Sequence, residues 1–244
     1  MKKNFYLLML AMFFTAGSAF AQQRLSFGVS GTFLTSFITN QYPVGIWKTE
    51  MDYAFTPGIA GSVNIGFDFN SHIGLVLQGG YANLGQNFIK VINDTNYFRI
   101  VQLNYLQFPL MFKFRTGGSV ARFYAAAGPQ LNYMLSATQA YYRENVEINS
   151  PGLYNPENPG SSIKPGESTI TNCYSAIDVM ARIDLGVEIS IIDNLWASAG
   201  ISMGYGFLDI NATDWHIKDS SGNYNPSHNT FVGFNVGINY CFQP

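Results

Sequence analysis

Residues 175–191 read SAIDVMARIDLGVEISI, with Ile177, Val179, Ala181, Ile183, Leu185, Val187, Ile189 and Ile191 at the odd positions. Asp178, Arg182, Asp184 and Glu188 fall at even positions between them. Successive side chains of a strand point to opposite faces, so the stretch predicts a strand with one apolar and one charged face. In a soluble sandwich the charged face would meet water. In a membrane barrel the apolar face meets lipid and the charges line the lumen.

The same period recurs in eight segments, at about 25–38, 57–69, 73–84, 97–115, 121–136, 175–191, 195–208 and 230–242. In the second, Ile59, Val63, Ile65, Phe67 and Phe69 oppose Ser62, Asn64, Gly66 and Asp68. In the seventh, Leu195, Ile201, Met203, Tyr205 and Phe207 oppose a nearly bare face of Ser198, Gly200, Ser202, Gly204 and Gly206 beside Trp196. The fourth changes phase, with Val101, Leu103 and Tyr105 on one parity and Leu106, Phe108, Leu110, Phe112 and Phe114 on the other. A β-bulge near Tyr105 is expected to return both sets to one lipid face.

Loop lengths alternate as well. Asn70–His72, Thr116–Ser119 and Ile192–Asn194 are tight, whereas about 39–56, 85–96, 137–174 and 209–229 are long. Outer-membrane barrels have short periplasmic turns and long extracellular loops, and an even strand count puts both termini in the periplasm. A soluble sandwich has no reason to sort its loops by parity. The fold class predicted is all-β: an antiparallel up-and-down transmembrane barrel of about eight strands, in the outer membrane of a bacterial cell.

Composition agrees. Charged residues are 11% of the 244, far below the quarter usual in soluble domains, while aromatics reach 16%. Beyond the first 21 residues there is no apolar run of the ~20 residues that a spanning helix needs. The formal charge of −2 falls to −4 if Lys2 and Lys3 are removed, which leaves no basic stripe for nucleic acid.

Residues 1–21 have the pattern of an export signal: Lys2 and Lys3, an apolar core from Phe5 to Phe14, and Ala19-Phe20-Ala21 as the cleavage site. The barrel domain is then 22–244, beginning at Gln22. Cys173 and Cys241 fall at opposite ends of the predicted barrel, beyond the roughly 7 Å Cα limit for a disulfide, and are expected as free thiols.

Three segments carry a resemblance. NYLQFPLMFKFR at 104–115, FYAAAGPQLNYML at 123–135 and DLGVEI at 184–189, followed by a small-residue strand, are similar to the PorT-like outer-membrane β-barrel family of Bacteroidota. The resemblance implies the same barrel fold and location; one family member is linked to protein secretion, and no residue here transfers that role.

Candidate sites are few. Asp68, Lys113, Arg115, Arg122, Asp178, Arg182, Asp184 and Glu188 share the inward parity, and Arg122 and Glu188 are expected to pair. An eight-stranded barrel is just wide enough to be filled by side chains, so these charges read as a structural plug. In the last loop, Asp214, His216, Ser227 and His228 contain the residue types of a nucleophilic set, and Asp209, Asp214 and Asp219 those of a cation site; neither has a motif that fixes its geometry. Tyr141, Tyr142 and Tyr154 are the candidate contacts in the 137–174 loop. No cofactor, metal or catalytic residue is assigned.

The function expected is non-enzymatic, a structural or interaction role through the long loops. The alternatives are a channel for a small or hydrophobic solute, kept open by the bare seventh strand, and a lipid-modifying enzyme. Partners expected are outer-membrane lipid and lipopolysaccharide, the barrel-assembly machinery during insertion, and an unidentified extracellular ligand or protein.

Overall fold

A computed structural model of the chain describes residues 24–40, 51–153, 155, 158–218 and 222–242. The proposed export signal and Tyr154 lie outside the described residues, as does Asp219.

The strands are β1 (Arg24–Thr39), β2 (Asp52–Ala54), β3 (Pro57–Asp68), β4 (Ile73–Ile92), β5 (Thr95–Arg115), β6 (Ala121–Arg143), β7 (Val146–Ile148), β8 (Ile177–Ile192), β9 (Leu195–Gly206) and β10 (His228–Phe242). Eight of them form a closed antiparallel ring in which each pairs with its sequence neighbour and β10 returns to β1, from Leu25↔Phe242 to Thr39↔His228. The short β2 and β7 attach to β4 and β6 above the ring. Closure leaves no free sheet edge within the ring, the condition for crossing lipid with strands.

The outward face is apolar around the ring. Phe33, Ile59, Val63, Leu77, Phe112, Phe123, Ile201 and Phe234 are each at least half exposed. In water such a surface would drive association; in a bilayer it is the contact with hydrocarbon.

The fourth predicted strand keeps one phase throughout. Val101, Leu103 and Tyr105 are buried in the interior, while Leu106 to Phe114 at even positions face outward. The register shift lies instead on β6: Asn104 pairs with Ser136 and Tyr105 with Met134, so Leu135 is the extra residue. The inward parity of β6 accordingly changes from even at Met134 to odd at Ala137, Gln139 and Tyr141. Apolar residues on β5 change side because the upper lumen is itself apolar, which the sequence pattern does not reveal.

The expected loop at 85–96 is also corrected. β4 and β5 pair in constant register up to Ile92↔Thr95 and turn through Asn93 and Asp94, whose φ values are 48° and 58°. Two left-handed residues make the turn that matches strand twist, and Asn and Asp tolerate that conformation best after glycine. β6 likewise continues to Arg143. β4, β5 and β6 thus have 20, 21 and 23 residues, against 12 for β3 and β9. About 9–11 residues cross the membrane, so this side stands as a tall wall above it. On its outer surface Tyr81, Asn83, Asn104 and Ser136 form a hydrogen-bonded row, with Tyr81 Oη to Asn104 Oδ1 at 2.5 Å and Asn104 Nδ2 to Ser136 Oγ at 3.0 Å. That polar row marks where the lipid face ends.

Candidate functional site

Inward parity brings the eight charges into the lumen at three heights. At the periplasmic end Glu188, 2% exposed, accepts from three cations: Lys113 Nζ, Arg115 Nε at 3.0 Å and Arg122 Nε at 2.6 Å. Arg122 and Glu188 stand directly opposite each other in the β6–β8 ladder, which explains the contact. Arg115 Nη1 also donates to Asp68 at 2.5 Å, and the Arg122 guanidinium lies 3.8 Å from the centre of the Trp196 ring. Lys113 stands over Tyr124, 4.3 Å from its ring centre. Charge-assisted bonds of this kind are the strong ones, and a carboxylate this buried depends on them.

At mid-height Arg182 pairs with Asp184 at 2.9 Å and reaches Gln130 and Ser202, each at 3.4 Å. Higher still, Asp178 accepts from Asn132 at 3.3 Å and Asn229 at 2.9 Å, and Asn229 also donates to Tyr105. Asp178 is held by amides, not by a cation, so it stands apart from the charged plug below.

The bare face of the seventh predicted strand is occupied. A Cβ added to Gly200 would stand 2.9 Å from Tyr124 Oη, and one on Gly186 2.9 Å from Tyr124 Cε1. A Cβ on Gly204 would stand 2.3 Å from Phe231 Cε1. The glycines of β8 and β9 are slots for two rings, Tyr124 from β6 and Phe231 from β10, not open lumen.

From the height of Arg182 upward the interior becomes increasingly apolar, with Phe231 and Met180 followed by Leu84, Phe88, Leu103, Tyr105 and Met134 in one cluster. Two loops close it. Ile163, Ile170, Cys173 and Tyr174 come from the segment after β7, Ile210 and Trp215 from the segment after β9. Ile170 N–H donates to the Ala137 carbonyl at 2.9 Å, and Ala212 N–H to the Cys173 carbonyl at 3.0 Å, so the loops bind the wall and each other. The 137–174 segment, expected as an irregular loop, is strand up to Arg143 and again in β7, and its described residues from Ile163 to Tyr174 include the buried side chains of the lid. Cys173 is a free thiol, and burial pushes its pKa up to about 12, the state of an inert cysteine. Cys241 is also free.

The tyrosines expected as loop contacts separate. Tyr141 is 1% exposed and points inward, because β6 extends past it with odd residues inside. This corrects its reading as a surface residue. Tyr142 is on the outer face of the wall, cross-strand from Phe98. Tyr154 is outside the described residues.

In the last loop the polar residues do not form a nucleophilic set. Asp209 is the centre: it accepts from Tyr224 Oη at 2.6 Å, from Ser227 N–H at 3.0 Å, and meets His216 Nε2 at 3.1 Å. His216 stacks on Tyr224 with ring centres 4.2 Å apart. Burial, then the bond to Asp209, raises the Tyr224 phenol above its ordinary pKa. Ser227 Oγ receives Asn211 Nδ2, His228 faces the Leu208 carbonyl, and Asp214 contributes its backbone carbonyl to Asn155. The arrangement is a loop clamp.

Sequence reasoning missed Arg99, which is 4% exposed on the inside of the wall with Phe88 and Tyr141 at 5.6 and 5.9 Å. Its parity with Val101 and Leu103 was the available signal. Tyr124 and Phe231 were likewise invisible as fillers, because nothing in a sequence says which ring crosses to which glycine.

No curated protein matches the sequence. Among solved structures the chain is similar to Neisserial surface protein A (9% identity, 88% of this chain and 96% of that chain covered, TM-score 0.42). It is also similar to OprG of Pseudomonas aeruginosa (10%, 92% and 97%, 0.42) and to a major outer membrane protein of Thermus thermophilus (12%, 90% and 99%, 0.46). The family model described as outer membrane protein beta-barrel domain matches residues 20–211. With most of the chain matched and a closed, lipid-faced ring built from it, this protein belongs to the outer membrane protein beta-barrel domain family and resides in the bacterial outer membrane.

Proposed function

We propose that the chain is a non-conducting, non-enzymatic barrel that acts as an interaction protein at the cell surface through its tall wall and lid. The observation that carries this reading is the lumen, filled in succession by the Glu188 network with the Tyr124 ring, the Arg182–Asp184 pair with the Phe231 ring, and the apolar lid. Such layers leave a barrel of this size no continuous passage. The face offered outward is the row Ile89, Phe98 and Tyr142, bordered by Asp52 and Glu147 on the flanking short strands. An extracellular ligand or partner protein would meet it there.

The finer assignments follow the same reading. Residues 1–21 serve as the export leader, the barrel-assembly machinery inserts the mature chain, and lipopolysaccharide surrounds the outer half. The three quoted segments support a PorT-like relationship within Bacteroidota.

Purified protein in planar bilayers is expected to give no conductance steps, and proteoliposomes no uptake of small sugars. Reproducible steps or uptake would replace this reading with the solute-channel one.

A further inference from the structure

The outer face of the tall wall changes chemistry rung by rung. Tyr81, Leu106 and Tyr133 stand side by side across β4, β5 and β6, and Asn83, Asn104 and Ser136 form the rung above. The next rung holds Gly85, Gln102 and Thr138. An apolar rung with two exposed tyrosine rings is thus followed by two polar ones. Aromatic rings so placed mark the level where hydrocarbon gives way to headgroups. On strands tilted by about 45° successive rungs differ in height by about 5 Å, and the headgroup layer is about 5–7 Å deep. The two polar rungs therefore stand within it.

The middle rung depends on the bulge. Below Leu135 the even residues of β6 point inward, as Asn132 and Met134 do, and the extra residue turns Ser136 outward beside Asn104. Bulges re-aim side chains in this way. Tyr81 Oη and Asn83 Nδ2 both donate to Asn104 Oδ1, at 2.5 and 2.8 Å, and Asn104 Nδ2 donates to Ser136 Oγ at 3.0 Å. These bonds hold the row in place and use only part of its capacity, since each amide has two donors and an acceptor with two lone pairs.

No charged side chain faces outward among residues 81–89 of β4, 98–106 of β5 or 133–142 of β6, where Arg99 is turned inside. Asp52 and Glu147, which border the same face higher up, are both acidic. A phosphate headgroup asks for Arg or Lys, and here it would meet neither and be repelled from above. A sugar asks for groups that both donate to and accept from its hydroxyls, and for aromatic rings against its C–H faces. The polar rungs and the two tyrosines supply both.

We propose that this face binds the uncharged sugar headgroup of an outer-leaflet glycolipid, the sugar resting on Asn83, Asn104, Ser136 and Gln102. The acyl chains lie below, against the exposed Leu106 and Leu135. Continuity with the lipid face argues for a lipid over a free sugar, because the polar rungs begin at the edge of a belt already in contact with hydrocarbon.

The test is native mass spectrometry of the protein released from micelles containing equimolar galactosyl diacylglycerol and phosphatidylglycerol with identical acyl chains. The galactolipid is expected to be retained about tenfold more tightly, the worth of one or two hydrogen bonds. Asn104→Leu and Gln102→Leu should each reduce that preference and leave phosphatidylglycerol retention unchanged. Gln102→Leu spares the hydrogen-bonded row, so it carries the test alone if Asn104→Leu does not fold. Equal retention of the two lipids, a preference for phosphatidylglycerol, or a galactolipid preference that survives substitution overturns the proposal. Displacement of the galactolipid by millimolar free galactose also overturns it, since the site would then be one for soluble sugar.

Discussion

Glu188→Ala is expected to destabilise the barrel by about 3–5 kcal/mol, visible as a lower midpoint for loss of strand circular dichroism in detergent. The carboxylate is the common acceptor of Lys113, Arg115 and Arg122 and is almost fully buried. Removing it leaves three cations with Asp68 as their remaining buried acceptor in the layer, and Asp68 bonds Arg115 alone. The cost is that of stranded charge, not of one lost contact. Adding Lys113→Met to Glu188→Ala should therefore recover part of the loss, because a missing cation no longer needs an anion. An unchanged midpoint in the single variant would mean that water reaches this layer freely.

Phe231→Ala is expected to cost about 3–5 kcal/mol by the same measurement, through an apolar cavity at mid-lumen. Phe231 is 4% exposed and fills the space above Gly204, where no side chain from β9 competes. The Phe231→Leu variant should lose less, since most of the volume remains. A variant as stable as the native chain would show that the β9 glycines leave room for neighbours to close the gap. Conductance appearing only in Phe231→Ala would identify the ring as part of the seal.

Much of this molecule is legible in its sequence. The parity of Ile177 to Ile191 names both faces of β8, and the inward set Asp68, Lys113, Arg115, Arg122, Asp184 and Glu188 is readable from alternation alone. The Arg122–Glu188 contact is predictable because adjacent antiparallel strands bring their bases to one height. These readings need only a local rule, that side chains alternate, together with the requirement that lipid accept no charge.

The errors share a different cause. Val101, Leu103 and Tyr105 read as lipid-facing because apolar is equated with outside, yet the upper lumen is an apolar core closed by its own loops. The 85–96 segment reads as a loop because its strand pairing continues past the membrane, where hydropathy no longer reports the face. Tyr141 reads as a surface contact for the same reason.

The sequence by itself thus determined the period, the eight staves and which charges point inward, since each follows from the one-dimensional order of polar and apolar residues. Only the tertiary structure decided that Leu135 is the bulge, that Tyr124 and Phe231 occupy the glycine slots, that the lid seals the lumen, and that three cations share Glu188. Those are contacts between strands distant in the chain, set by register and by the volume each ring must fill, and neither quantity is written in any single segment.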